Sequence, residues 1–99
     1  MTHQISEARR VYVDSSPVFI FAIFESSLSN SVQKADFYYA RDKGKPIYLI
    51  VADSVEVPPE LTNGAFIRGL EKFVGGDQES YIAAFQRTLQ QIRRDSVKN

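Results

Sequence analysis

Two uninterrupted apolar runs constrain this chain more than anything else in it: VFIFAIF, Val18 to Phe24, and IYLIV, Ile47 to Val51. A strand with one wet face alternates apolar and polar residues, and neither run does. A short continuous run bounded by turn residues is the signature of a strand buried on both faces, as in a parallel sheet with helices above and below. Ser-rich turns bound the first run, and Gly44 and Pro46 precede the second. The helix between them is predicted from about Asn30 to Asp42, with Val32, Ala35 and Tyr39 on its inward face. Gly44 serves as its C-cap, and Pro46 prevents continuation.

The rest of the chain reads around this unit. Residues 4 to 14, QISEARRVYVD, place Ile5, Ala8 and Tyr12 at helical spacing with Val11 beside them. RVYVD alone also suits a short strand, and helix is preferred. ADSVEVPPELTNG is expected to be a loop, stiffened by Pro58 and Pro59. AFI, Ala65 to Ile67, is expected to be a short third strand, and RGLEKFVGG carries no clear signal. A last helix is predicted from Asp77 to about Arg94, with Ile82, Phe85, Leu89 and Ile92 as its apolar stripe. Gly75 and Gly76 read as the turn before it, and Arg87, Arg93 and Arg94 as a solvated face. The order is α/β: a small parallel sheet flanked by helices. Ligands in such sheets sit beyond the carboxyl ends of the strands, so the loop from Glu25 to Ser31 is the first place to look for a site.

Composition narrows the function classes. Ninety-nine residues make one small domain, and 43% hydrophobic with 24% charged residues argues against disorder. Twelve basic residues balance twelve acidic ones, so there is no basic excess of the kind that marks a nucleic-acid footprint. Cysteine is absent and His3 is the only histidine, which removes thiol catalysis, disulfides and His/Cys zinc sites. The longest apolar run, Pro17 to Phe24, falls far short of the roughly 20 residues that span a bilayer. The N-terminal MTHQISEARR lacks a signal-peptide core. A soluble, cytoplasmic protein is expected.

Asp36 stands out among the candidate site residues. Aspartate is a mediocre helix-interior residue, and neither Val32 at i−4 nor Ala40 at i+4 can pair with it. Either it complements the helix N-terminus or a cation elsewhere in the fold, or it is kept for chemistry. Ser26, Ser27, Ser29 and Ser31 suit turns and N-caps, and could also hydrogen-bond a ribose or phosphate at the strand's end. Tyr38 and Tyr39 could stack on a base or pack in the core. Lys43 and Lys45 suit a helix C-terminus or a phosphate.

The stretch SNSVQKADFYYARDKGKPIYLIVADSVEVPPEL resembles the C-terminal half of a TIR domain, the Toll/interleukin-1 receptor type. The resemblance is carried by Ser26, Ser29 and Ser31, Asp36, Ala40, the turn Gly44-Lys45-Pro46, the strand Ile47 to Val51, and Pro58-Pro59-Glu60-Leu61. The closing GDQESYIAAFQRTLQQIRR is similar to the family's last helix, so the likeness covers about residues 5 to 95. It implies a flavodoxin-like, TIR-like fold, truncated at its N-terminus because the family's first strands, first helix and mobile loop have no counterpart here.

The resemblance also implies function. In NAD+-cleaving TIR domains a catalytic Glu lies eight residues before the Gly of this turn, and Asp36 occupies that position. A carboxylate there would stabilise or attack the oxocarbenium-like state formed as the nicotinamide bond breaks. The implied site is Asp36 as the catalytic residue, with Ser26, Ser29, Ser31 and Tyr39 holding NAD+ as substrate, and no other cofactor or metal. Asp is one methylene shorter than Glu, and a displacement of about an ångström can cost on the order of a hundredfold in rate. The implied partners are other TIR domains or further copies of the chain, without nucleic acid or membrane. A second resemblance, to nucleoside 2-deoxyribosyltransferase-like proteins, rests on the acidic residue before Ala40 and the Gly-Lys-Pro turn.

Overall fold

The structure, a computed structural model, describes residues 5–97; His3 lies outside them. The elements are α1 (Glu7–Ser15), β1 (Phe19–Ile23), a 3-10 turn (Ser27–Ser29), α2 (Ser31–Asp42), β2 (Ile47–Ala52), α3 (Pro59–Thr62), β3 (Ile67–Phe73) and α4 (Gln78–Val97). The three strands form one parallel sheet in the order β1-β2-β3. The fold is therefore α/β, with helices on both faces of a small parallel sheet. No helix among the described residues is long and apolar enough to cross a membrane.

Both apolar runs form strands, and the central one behaves as continuous apolarity requires: every residue of β2 is buried. Phe21 of β1 meets Phe37 of α2 with ring centroids 5.1 Å apart, which marks the face covered by α2. Tyr48 of β2 donates to Asp95 of α4 at 2.6 Å, which marks the face covered by α4. The core between the layers includes Ile23, Phe37, Ile47, Leu49, Ile50 and Val51.

The helix ends follow local chemistry. Asn30 caps α2 by accepting from the amides of Val32 and Gln33, both at 3.0 Å. At the other end the Lys45 amide bonds the Ala40 carbonyl and the Gly44 amide bonds the Arg41 carbonyl, with Gly44 at φ +70°. This is a Schellman closure, which explains the glycine. Lys45 then reaches back to the C-terminus of α1, donating to the carbonyls of Ser16 at 2.7 Å and Asp14 at 3.3 Å. It therefore satisfies the end of a helix other than the one it follows.

Four expectations need correction. The third strand is not the three residues Ala65 to Ile67 but the seven of β3. The loop before it contains one helical turn, α3, opened by Pro59 at a position where a missing N–H costs nothing. Val32 is exposed, and the inward face of α2 is formed by Ala35, Asp36, Phe37 and Ala40. In α4, Ile82 and Leu89 point outward while Ala84 and Thr88 are buried, because small side chains let this helix lie close on the sheet. Residues 7 to 15 are helical, but only Val13 of α1 is buried; Tyr12 is 73% exposed.

Candidate functional site

Two concavities bear on function. The first is a cleft of about 520 Å³ beyond the carboxyl ends of the strands, lined by Phe24, Glu25, Ser26, Ala52, Asp53, Ser54, Gly75 and Gly76. Its walls are held by bonds between loops. Ser54 donates to Glu25 at 3.0 Å, and the Gly75 amide donates to Asp53 at 3.3 Å. The second is a groove of about 240 Å³ along the outer edge of β1. It is lined by Arg9 and Tyr12 of α1, Phe19 to Ala22 of β1, Phe24, and Gln33 and Asp36 of α2.

Asp36 belongs to the groove and not to the cleft. Its carboxylate is engaged by Arg9, whose Nε donates to both carboxylate oxygens at 2.9 Å while Nη2 lies close to Oδ2. The Asp36 side chain is 11% exposed and that of Arg9 is 51%. The bond to Asp36, reinforced by its charge, raises the Arg9 guanidinium above its ordinary pKa. The cation that helix spacing could not supply thus comes from another helix, 27 residues earlier. Arg9 sits near the N-terminus of α1, where the helix dipole disfavours a cation. Its guanidinium answers a carboxylate on the neighbouring helix instead.

The other candidate residues are dispersed. Ser26 lines the cleft, and its carbonyl accepts the Ser29 hydroxyl at 3.0 Å. Ser31 is the exposed first residue of α2, next to the cap already provided by Asn30. Tyr39 is one turn beyond Asp36, where its hydroxyl donates to both oxygens of Asp14 at 2.9 and 2.8 Å. That bond, with desolvation and the charge of Asp14 adding to it, raises the Tyr39 pKa. Lys43 lies 5.4 Å from the centre of its ring. Asp36 and Tyr39 are therefore two clamps that hold α1 against α2, Arg9 at one end and Asp14 at the other. The proposed substrate-binding set, Ser26, Ser29, Ser31 and Tyr39, does not converge on Asp36.

The structural serine is Ser27. It is buried; its hydroxyl accepts from the Phe24 amide at 2.9 Å and donates to the Ala22 carbonyl at 3.4 Å. It closes the end of β1 as a short piece of neighbouring strand would. Gln33 was not singled out by sequence. It lines the groove, and its Oε1 is buried without a hydrogen-bond partner, a condition found in few buried side-chain oxygens. Nothing in the local sequence signals it. Among the described residues, no three His, Cys, Asp or Glu side chains gather so as to hold a metal ion.

Comparison with family models, with curated proteins and with solved structures returns no match to this chain.

Proposed function

We propose that this chain is a TIR-like interaction module that acts in cytoplasmic signalling or defence by assembling with other polypeptides, and that it does not cleave NAD+. The observation that carries the reading is the engagement of Asp36. A carboxylate that is to meet a developing cation at a sugar carbon is poorly placed for it while a guanidinium engages both its oxygens. The family-like motifs support the TIR-like part of the reading, and the absence of cysteine suits a reducing compartment. Support for assembly over chemistry comes also from Ser29 and Tyr39, whose hydroxyls serve a turn and a helix clamp.

The test is incubation of the purified chain at high concentration, with a crowding agent and NAD+, following nicotinamide release. Asp36→Ala and Asp36→Glu run beside it, and sedimentation is measured over the same concentrations. The expected result is no release from any of the three, with association that grows with concentration. Release that Asp36→Ala abolishes and Asp36→Glu raises would overturn the reading in favour of NAD+ cleavage. Cleavage of nucleosides but not of NAD+ would favour the 2-deoxyribosyltransferase-like alternative.

A further inference from the structure

β1 has the composition of an interior strand and the position of an edge strand. The Phe19 amide donates to Pro46 on the β2 side, at 2.9 Å. Backbone groups alternate along a strand, so Phe19, Phe21 and Ile23 turn their N–H and C=O groups to β2. Ile20 and Ala22 turn theirs to the open edge. Ser27 covers the Ala22 carbonyl and the Phe24 amide. The N–H and C=O of Ile20 and the N–H of Ala22 remain on that edge.

The devices that normally blunt an edge are charged side chains, an internal proline, a bulge, or a covering helix or loop. FIFAI contains none of the first three, and its cover is α1, which leaves space beneath it. The opposite edge, β3, carries Arg68, Glu71 and Lys72, with a register shift against β2. The two edges of one small sheet are thus treated oppositely. Along β1, α1 roofs the edge and leaves the groove of about 240 Å³, continued toward Pro17 and Val18 by a second hollow of about 280 Å³. Gln33 also lines that groove.

Resting on the reading of the chain as an interaction module, we infer that this groove is a strand-acceptor slot. Its occupant is an extended, uncharged, apolar segment of a second polypeptide. The segment pairs with the main chain of Ile20 and Ala22, a mode in which backbone bonds supply affinity and side-chain pockets supply selectivity. Charge selects the occupant. Among the described residues, the ionised side chains lining the groove are Arg9 and Asp36, which neutralise each other, so a charged strand would enter without a partner. Direct pairing of β1 with β1 of another copy is disfavoured by α1. Paired strands lie about 4.8 Å apart, so both copies of α1 would crowd into one layer over the junction, where packed helices need about 8–10 Å between axes.

The probe is the end-capped synthetic peptide PIYLIVA, residues 46–52, because its strand already pairs with β1 along the other edge. The control is the same peptide with alternate amides N-methylated. Fluorescence anisotropy of the labelled peptide should show saturable, micromolar binding that the control lacks. At saturation, exchange of the Ile20 and Ala22 amides, read by NMR, should slow at least tenfold. Ala22→Pro removes an outward N–H, at an edge where proline is tolerated, and should weaken binding at least tenfold. Should it fail to fold, the exchange of the Ile20 and Ala22 amides in the wild-type chain decides the matter. Absence of saturable binding, equal binding to wild type and folded Ala22→Pro, or protection confined to other strands would overturn the slot. The interaction reading would survive that result if the chain still associates, and would fall separately if NAD+ is cleaved.

Discussion

A double-mutant cycle on Arg9 and Asp36 tests the central argument about function, because it asks whether the carboxylate is occupied. The two ends of the pair differ in exposure, with 51% of the Arg9 side chain accessible against 11% for Asp36. The difference makes the two truncations unequal. Arg9→Ala leaves a nearly buried carboxylate without its cation. Such a loss costs about 3–5 kcal/mol in a fully buried pair, whereas exposed pairs contribute about 0.2–1 kcal/mol. Solvent reaches this pair from the Arg9 side and screens it, so a cost of about 2 kcal/mol is expected. Asp36→Ala releases a guanidinium that can turn to water, and about 1 kcal/mol is expected. The coupling energy should be about 1 kcal/mol, as for a hydrogen-bonded charge pair with one wet end.

Urea denaturation of wild type, both single variants and the double variant gives the four free energies. In a domain of this size, 1 kcal/mol corresponds to about 4–8 °C in Tm, so thermal melts provide a second reading. Repetition at high salt should weaken the coupling only partly, since the carboxylate end is shielded from ions. Coupling below about 0.3 kcal/mol would refute the reasoning, because the carboxylate would then be free of Arg9 in solution and available for chemistry.

Three further outcomes are expected. The Tyr48 phenol is pushed up to about 12, by burial first and then by its bond to Asp95. A pKa raised on folding contributes stability that is complete below the unfolded value near 10 and is lost as pH rises through 12. Denaturation midpoints should therefore show up to about 2–3 kcal/mol of alkaline loss over that window. Tyr48→Phe lacks this step, and costs about 1–2 kcal/mol at neutral pH. Gly69→Ala would place a Cβ 2.8 Å from Gln91 Oε1 and 3.0 Å from Tyr48 Cδ2. Gln91 can swing away but the buried Tyr48 ring cannot, so urea unfolding should register a loss of about 1–2 kcal/mol. Gly44→Ala has open space around its Cβ but a φ of +70°, so it should lose about 1 kcal/mol for backbone conformation alone, with the melt still cooperative.

What could be read from the sequence is what local physics determines. The two apolar runs became β1 and β2 because unbroken apolarity has few other uses at that length. The Gly-Lys-Pro turn ended α2 because only glycine takes its left-handed geometry without cost. β3 was only partly visible. Ile67, Leu70 and Phe73 are diluted by Arg68, Gly69, Glu71 and Lys72, and two of these polar residues, Arg68 and Glu71, meet partners from α4. Arg87 pairs with Glu71 at 2.7 Å, and Gln91 donates to the Arg68 carbonyl at 3.0 Å. The Ile82 and Leu89 stripe misled because periodicity identifies apolar residues, not the small ones that permit close approach. Asp36 could be recognised as lacking a partner on its own helix, but nothing local points to Arg9. The pair exists only because α1 and α2 run side by side.

The same distinction explains why β1 is the informative element. A run such as VFIFAIF is suited to neighbours on both edges and cover on both faces. The structure supplies α2 on one face, α4 near the other, β2 on one edge, and Ser27 at one end of the remaining edge. Each supplied partner removes a cost that an apolar, hydrogen-bonding strand would otherwise carry in water. What is left over is contiguous: the Ile20 groups, the Ala22 amide and the apolar walls of one groove. Scattered leftovers would read as ordinary imperfection in a small domain. Gathered along the one edge that has no charge, proline or bulge to protect it, they describe the shape and chemistry of a missing strand. A partner that supplies such a strand would satisfy all of them at once.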